Sequence, residues 1–320
     1  MRKILLTIQI NFEDYQDTVK NYIDFIINQF TPSRMRGLHY KTGKHYKYTQ
    51  NNFQNLIKVE LNHKDFNIRL VDDERFFYAI GDETNEIITM VVCLEGSLVD
   101  NQFINSFETF FVDKGIFAYE HDLIDDINQN IKIASMLHKE EGGIEDFSFY
   151  INENGREMVD IEKNPGHSHK AYGVWYGAWY RMWFGKEYYK YIDKNELHTY
   201  SGYETSILEN DVTRITLYEN IWVYNTPASR KKQWEFRSKL HIDDIAHRLI
   251  EEEKENIKAD SEIEINIGQF RHGGVRLIRT YLKDGKPAKK SVADSVEEVE
   301  YSKEGKILFR DISNIFGMGT

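Results

Sequence analysis

Residues 3–10, Lys-Ile-Leu-Leu-Thr-Ile-Gln-Ile, alternate in part and are rich in isoleucine and leucine, which predicts a strand. Asn11 and Asp14 are placed to cap a following helix. In that helix Tyr15, Val19, Tyr22, Ile26 and Phe30 recur on one face with Ile23 and Ile27 beside them, and Pro32 ends it. Residues 66–71, 75–80 and 86–94 read as strands, the last two joined as a hairpin by Gly-Asp-Glu-Thr-Asn at 81–85. Phe103, Ile104, Phe107, Phe110 and Phe111 return to helical spacing, with Gly115 where a C-cap glycine belongs, and residues 116–121 read as a further strand. The order strand, helix, strand, strand, helix, strand is that of a ferredoxin-like split βαβ unit of the α+β class.

Beyond residue 121 the pattern predicts a helix over 125–137. A Gly-, Glu- and Asn-rich loop follows over 139–170, with a short hairpin at Asn152-Glu153-Asn154-Gly155. The block from Tyr172 to Tyr191 holds three of the five tryptophans and is the densest aromatic stretch of the chain. Its spacing fits a helix and also a strand. Gly173 and Gly177 are poor helix residues whereas Trp and Tyr favour strands, so Tyr172–Phe184 is expected as a strand with Trp175, Trp179 and Trp183 on one side, in the core. Lys186–Ile192 reads as a short helix and 212–219 as a strand. Residues 230–253 read as a helix with Trp234, Leu240, Ile245 and Leu249 inward. Residues 262–267, 275–282, 292–301 and 306–312 read as strands of a small β-meander separated by Lys-Asp-Gly-Lys-Pro and Ser-Lys-Glu-Gly turns. The expected organisation is a ferredoxin-like unit over 1–138, a second α+β unit over 139–255 and a β-meander over 256–320.

With 320 residues, 41% of them hydrophobic and only four prolines, the chain can fill a core and is not of disordered composition. The net charge of −11 disfavours non-specific nucleic-acid binding and suits a basic partner. The single cysteine, Cys93, lies in an apolar run, can form no internal disulfide and reads as a small core residue. The amino terminus begins as a signal peptide would, but it turns polar too soon and lacks a small-residue cleavage site. No segment reaches the roughly 18 apolar residues of a membrane span. The expected location is the cytoplasm, with no membrane partner.

Several constellations could carry chemistry. His167 and His169 stand two apart, share a face if extended, and could begin a metal site with His121 or Asp122 supplying a third ligand, the arrangement of a metal-dependent hydrolase. No recognised metal-ligand spacing completes the set, so neither a metal nor an organic cofactor is expected. Glu120, Asp122, Asp125 and Asp126 cluster carboxylates at a strand end, where they could serve general acid–base work or a cation, or be ordinary caps and turns. Gly268–Gly274 is glycine-rich but lacks the Lys-Ser/Thr of a phosphate loop and reads as a turn. Residues 33–58 carry Arg34, Arg36, Lys41, Lys44, Lys47 and Lys58 with Tyr40, Tyr46 and Tyr48 interleaved and no acid. They read as a long loop or loose hairpin, and Arg34, Arg36, Tyr40, Lys44, Tyr46 and Lys47 are the candidate RNA contacts.

Gly-Ile-Phe-Ala-Tyr-Glu at 115–120, Met-Trp-Phe-Gly-Lys-Glu-Tyr-Tyr at 182–189 and Arg-Ile-Thr-Leu-Tyr-Glu at 214–219 follow the Phe103–Phe111 helix. With the hairpin-like tail Arg-Thr-Tyr-Leu-Lys-Asp-Gly-Lys-Pro and Val-Glu-Tyr-Ser-Lys-Glu-Gly-Lys-Ile-Leu, they resemble cytoplasmic immunity proteins of bacterial polymorphic-toxin systems. The resemblance spans about half of the chain and its motifs are structural. It implies a non-enzymatic protein that neutralises a toxin by direct binding. On that reading Glu120, Asp122, Asp125, Asp126, Tyr176 and Tyr180 are the candidate contacts to a basic partner, with RNA binding or processing as the alternative.

Overall fold

Strand β1 (Lys3–Asn11) is buried at every residue from Ile4 to Ile10, so both of its faces are covered. It lies in the middle of an antiparallel sheet, here described in a computed structural model over residues 2–138, 147–257, 261–266, 268–283, 285–288, 290 and 293–315. After β1 come α1 (Tyr15–Ile27), β2 (Arg34–Gly37), β3 (Tyr46–Lys47), α2 (Gln50–Glu60), β4 (Asn67–Val71), β5 (Phe76–Asp82), β6 (Ile87–Glu95), α3 (Asn101–Lys114), β7 (Gly115–Asp122) and α4 (Leu123–Asn130). Two small hairpins follow, β8 (Phe149–Ile151) with β9 (Glu157–Val159) and β10 (Ser168–Ala171) with β11 (Val174–Gly177). Then come β12 (Arg181–Phe184), α5 (Lys194–Thr199), β13 (Glu204–Ile207), β14 (Thr213–Thr216), α6 (Pro227–Lys239) and α7 (Ile242–Ile257). The sheet runs β13-β14-β12-β7-β1-β6-β5-β4-β2-β3.

Within it β7, β1, β6 and β5 are antiparallel neighbours, with α1 after β1 and α3 after β6, which is the expected split order. The hairpin of β5 and β6 forms as its turn predicts. One face carries the main core: Leu6, Ile8 and Ile10 of β1 meet Val19, Tyr22, Ile23 and Ile26 of α1 and Phe103, Phe107 and Phe111 of α3. The α+β class holds, with a C-terminal meander. The chain divides into two compact units, Met1–His247 and Arg248–Thr320, the division falling within α7. The boundary expected at 138 separates no sheets, because β12 pairs directly with β7 and carries β14 and β13 with it.

Four local expectations are corrected. The segment 33–58 is not one loop: Thr49 caps α2 by accepting from the Asn52 amide, and Phe53, Leu56, Ile57 and Glu60 bury one helical face. Tyr172–Phe184 is two strands, not one. The chain leaves the β10–β11 hairpin at Gly177, passes through Ala178–Tyr180 and enters the main sheet at Arg181. Trp179 and Trp183 are fully buried, but Trp175 is only partly so, and Trp183 packs on the α3 face beside Phe107 whereas Trp179 stacks on Tyr119 of the opposite face. The helix expected over 230–253 breaks at His241, whose φ is 51°, and Trp234 is exposed. Gly115 does end α3, but in an extended conformation that starts β7. Residues 139–146 of the expected loop 139–170, and residues 258–260, 267, 284, 289, 291, 292 and 316–320 of the expected meander unit, lie outside the described residues.

The unit 248–320 contains the meander β15 (Ser261–Ile265), β16 (Arg276–Lys283), the short β17 (Lys286–Pro287), β18 (Ser295–Tyr301) and β19 (Ile307–Asn314), paired in the order β15-β16-β18-β19 with β17 on β16. The glycine-rich turn before β16 is closed by its own carboxylate. Glu300 Oε1 accepts from the Gly274 amide at 2.6 Å and the His272 amide at 3.1 Å, so a side chain fills the place an anion would take.

Candidate functional site

The carboxylates at the end of β7 fold inward. Glu120, Asp122 and Asp125 are buried, and Asp126 is partly so. Asp122 caps α4 by accepting from the Asp125 amide at 2.9 Å. His121 Nε2 lies 2.6 Å from Asp125 Oδ2, and Arg230 of α6 grips the same carboxylate with Nη1 at 2.9 Å and Nη2 at 2.5 Å. These partners overcome the burial of Asp125 and hold its carboxyl well below the usual range. Asp126 accepts from Trp179 Nε1 at 3.1 Å, and burial raises its carboxyl to about 6. Glu120, raised by burial, pairs with Arg181 at 3.0 Å. The network pins α4 and α6 onto the sheet. Tyr176 and Tyr180 are buried too, so of these six residues only Asp126 keeps partial exposure.

The histidine pair belongs to another cluster. His121 bonds Asp125 of α4 and Asp122 caps that helix, and Gln129, Asn164 and Gly166 are hydrogen-bonded between them and the pair. His167 and His169, at the entry to β10, place their Nε2 atoms 3.1 Å apart. Glu162 Oε2, from a one-turn helix at Ile161–Lys163, lies 3.4 Å and 3.5 Å from them. Asp243 Oδ1, in the first turn of α7, lies at 3.4 Å and 3.5 Å. His247 Nε2 lies 3.6 Å from Glu162 Oε2. Arg237 of α6 is buried against the cluster. It donates to the His167 carbonyl at 2.7 Å, reaches His167 Nε2 at 2.5 Å and pairs with Asp243. Arg237 holds the Asp243 carboxyl far below its ordinary range despite burial. Glu162, Arg237, Asp243 and His247 gave no signal in the sequence, since they come from three segments up to 85 residues apart. A second group of similar chemistry joins His39 and His63, ring centroids 3.9 Å apart, to Asp65.

The basic segment divides by burial. Tyr40 is buried and Tyr46 packs partly against the core, so neither offers a free ring. Arg34, Arg36, Lys44 and Lys47 are exposed. Arg36 stands directly across from Arg69 of β4, and Arg34 across from Lys47. This row lies on the sheet face opposite the helices, next to the partly exposed Phe76 and Tyr78 of β5, whose rings stack at 6.0 Å.

An acidic groove lies elsewhere on the same unit. Two adjoining clefts of about 450 and 650 Å³ share Val112, Asp113 and Asn210. Glu13, Asp113, Glu187 and Glu209 are exposed along them, outnumbering Lys186, which is exposed, and Lys114, which is partly so. Beside them runs β13, an edge strand with one side unpaired among the described residues, where Ile207 is 58% exposed.

No protein-family model matches the chain, and no curated protein matches it. Among solved structures, the T6SS protein PA0821 of Pseudomonas aeruginosa aligns over 68% of this chain and 65% of its own, at 9% identity and a TM-score of 0.39. The alignment therefore spans less than two thirds of that protein. No helix among the described residues is long and apolar enough to cross a membrane.

Proposed function

We propose that this chain is a non-enzymatic binding protein that neutralises a basic protein toxin by covering one of its surfaces, as the resemblance to immunity proteins implies. The observation that carries the reading is the acidic groove beside the open edge of β13. An unpaired strand edge offers backbone hydrogen bonds to an added strand, Ile207 offers an apolar anchor, and Glu13, Asp113, Glu187 and Glu209 attract a cationic partner. The contacts expected near Glu120–Asp126 move to this groove, because those carboxylates are spent inside the protein. The test is calorimetry with a basic toxin domain, taken from a gene adjoining this chain's own where one is encoded there, together with growth rescue on co-expression. The double variant D113K/E209K, at two exposed positions, should weaken binding at least tenfold with an unchanged melting curve. Unaltered affinity would remove the groove from the reading, and failure of the native chain to bind or rescue would remove the reading itself.

A second reading is supported by the row Arg34, Arg36, Lys47 and Arg69. Like charges directly across a sheet repel, and a phosphate backbone would relieve that repulsion while Phe76 and Tyr78 stack bases. Electrophoretic binding to single-stranded RNA at two salt concentrations tests it. Binding that disappears in R36A/R69A would favour it, and no retardation at low salt would dispose of it.

A further inference from the structure

We propose that Glu162 Oε2, His167 Nε2 and His169 Nε2 form a binding site for one divalent transition-metal ion of the zinc class, open to solvent on the Glu162 side. The three atoms make a triangle with sides of 3.1, 3.4 and 3.5 Å. Ligands about 2.0–2.1 Å from a tetrahedral ion stand about 3.3–3.4 Å from one another, so this triangle matches one face of such a site. Two imidazoles and a carboxylate are also the ligand types zinc takes when a fourth position is left for water.

The surroundings orient the ligands toward a common point. His167 Nδ1 donates to the Asn164 carbonyl at 2.5 Å, which leaves the lone pair on Nε2 facing the cluster. The rings are held by burial, 1% and 9% exposed, while Glu162 is exposed and supplies a path for the ion. Arg237 Nη2 and His169 Nε2 both approach the single lone pair of His167 Nε2, at 2.5 and 3.1 Å. The Glu162 contacts at 3.4 and 3.5 Å are long for hydrogen bonds and suited to ligands of one ion. Arg237 is the competitor. Its bonds to Asp243 and to the His167 carbonyl are compatible with an ion, whereas its contact to His167 Nε2 is not, so binding requires Nη2 to withdraw from that atom. This departs from the expectation of no metal, which rested on the absence of a recognised ligand spacing; Glu162 supplies a third ligand from five residues upstream of His167.

The experiment uses the full chain, stripped with chelator and titrated with Zn²⁺ by calorimetry and with Co²⁺ by visible absorption. The expected result is one ion per chain at micromolar affinity or tighter, with the intense bands of four-coordinate cobalt and a raised melting temperature. E162Q, at an exposed position, should fold as the native chain does and bind at least tenfold more weakly, and H169N should abolish the cobalt bands. Absence of binding by the native chain would overturn the proposal and leave a hydrogen-bonded cluster closed by Arg237. Binding that survives both E162Q and H169N would overturn it as well, by placing the ion elsewhere, with His39, His63 and Asp65 the next group to vary.

Discussion

Glu60 offers the sharpest test of how the basic segment is held. The residue is fully buried at the end of α2. Its Oε1 accepts from the amides of His39 and Tyr40, both at 2.7 Å, and its Oε2 from the amide of Asn67 at 3.1 Å. One carboxylate thus fastens the turn after β2 to the start of β4. Glu60→Ala strands three amide donors. Tyr40 is buried and bears the full desolvation cost, about 1–3 kcal/mol, whereas His39 and Asn67 are partly exposed and can recruit water, at roughly 1 kcal/mol each. The expected loss is about 3–5 kcal/mol. For a unit of this size each kcal/mol lowers the melting temperature by about 2–4 °C, so the midpoint should fall by roughly 10 °C. Glu60→Gln keeps an oxygen for two amides but turns an NH₂ toward Asn67, and should cost about half as much. Gly37→Ala should also destabilise, because its Cβ would come 2.3 Å from Glu60 Oε1. The assay is thermal and urea unfolding followed by circular dichroism. A Glu60→Ala variant within about 1 kcal/mol of the native chain would refute the view that these bonds hold the turn.

Trp179→Ala should cost about 3–5 kcal/mol by urea unfolding, since it removes a fully buried ring that stacks on Tyr119 with centroids 4.1 Å apart; an unshifted transition would mean the ring is dispensable to the core. The Asp126 carboxyl, raised to about 6 in the fold against about 3.8 for the free group, binds protons more tightly when folded, so its ionisation should erode stability as pH rises from about 4 to about 6. Asp126→Asn should flatten that part of the stability–pH curve, and an identical curve in the variant would exclude the assignment. Asp125 acts with the opposite sign: its lowered carboxyl contributes stability above about pH 4 that is lost on further acidification, and Asp125→Asn should blunt the acid limb of unfolding. Cys93, buried and with its thiol pushed up to about 11, should resist alkylation at neutral pH until the chain unfolds, as a timed thiol assay in and out of denaturant would show.

The elements read correctly from sequence are those whose period is undiluted. Strands β1, β5 and β6, helix α3 and the C-terminal meander each carry an apolar repeat bounded by turn residues. Helix α2 is faint in the sequence because only Phe53, Leu56, Ile57 and Val59 among its 11 residues are apolar, so its period is diluted by polar residues. The inward turn of Glu120 and Asp125 was not legible, because their partners are distant in the chain, Arg181 standing 61 residues from Glu120 and Arg230 105 residues from Asp125. Sequence shows which residues share a strand face but not whether a distant helix will cover that face. His167 and His169 were recognisable as a pair by their spacing, whereas Glu162 and Asp243 approach them only through the fold.

The position of β1 sets an order of events during synthesis. Among the described strands the earliest in the chain is a central one, and its partners β6 and β7 lie some 80 to 120 residues further along. Nascent β1 must therefore wait, its apolar residues unsheltered, until β6 has left the ribosome. When β7 then docks, its outer edge stays open until β12 arrives about 60 residues later. A truncated chain ending near residue 138 would keep that edge open permanently, with Phe117 and Tyr119 stripped of the Trp179 that covers them. Such a fragment should associate edge to edge more readily than a chain continuing through β14, whose outer edge is the short β13.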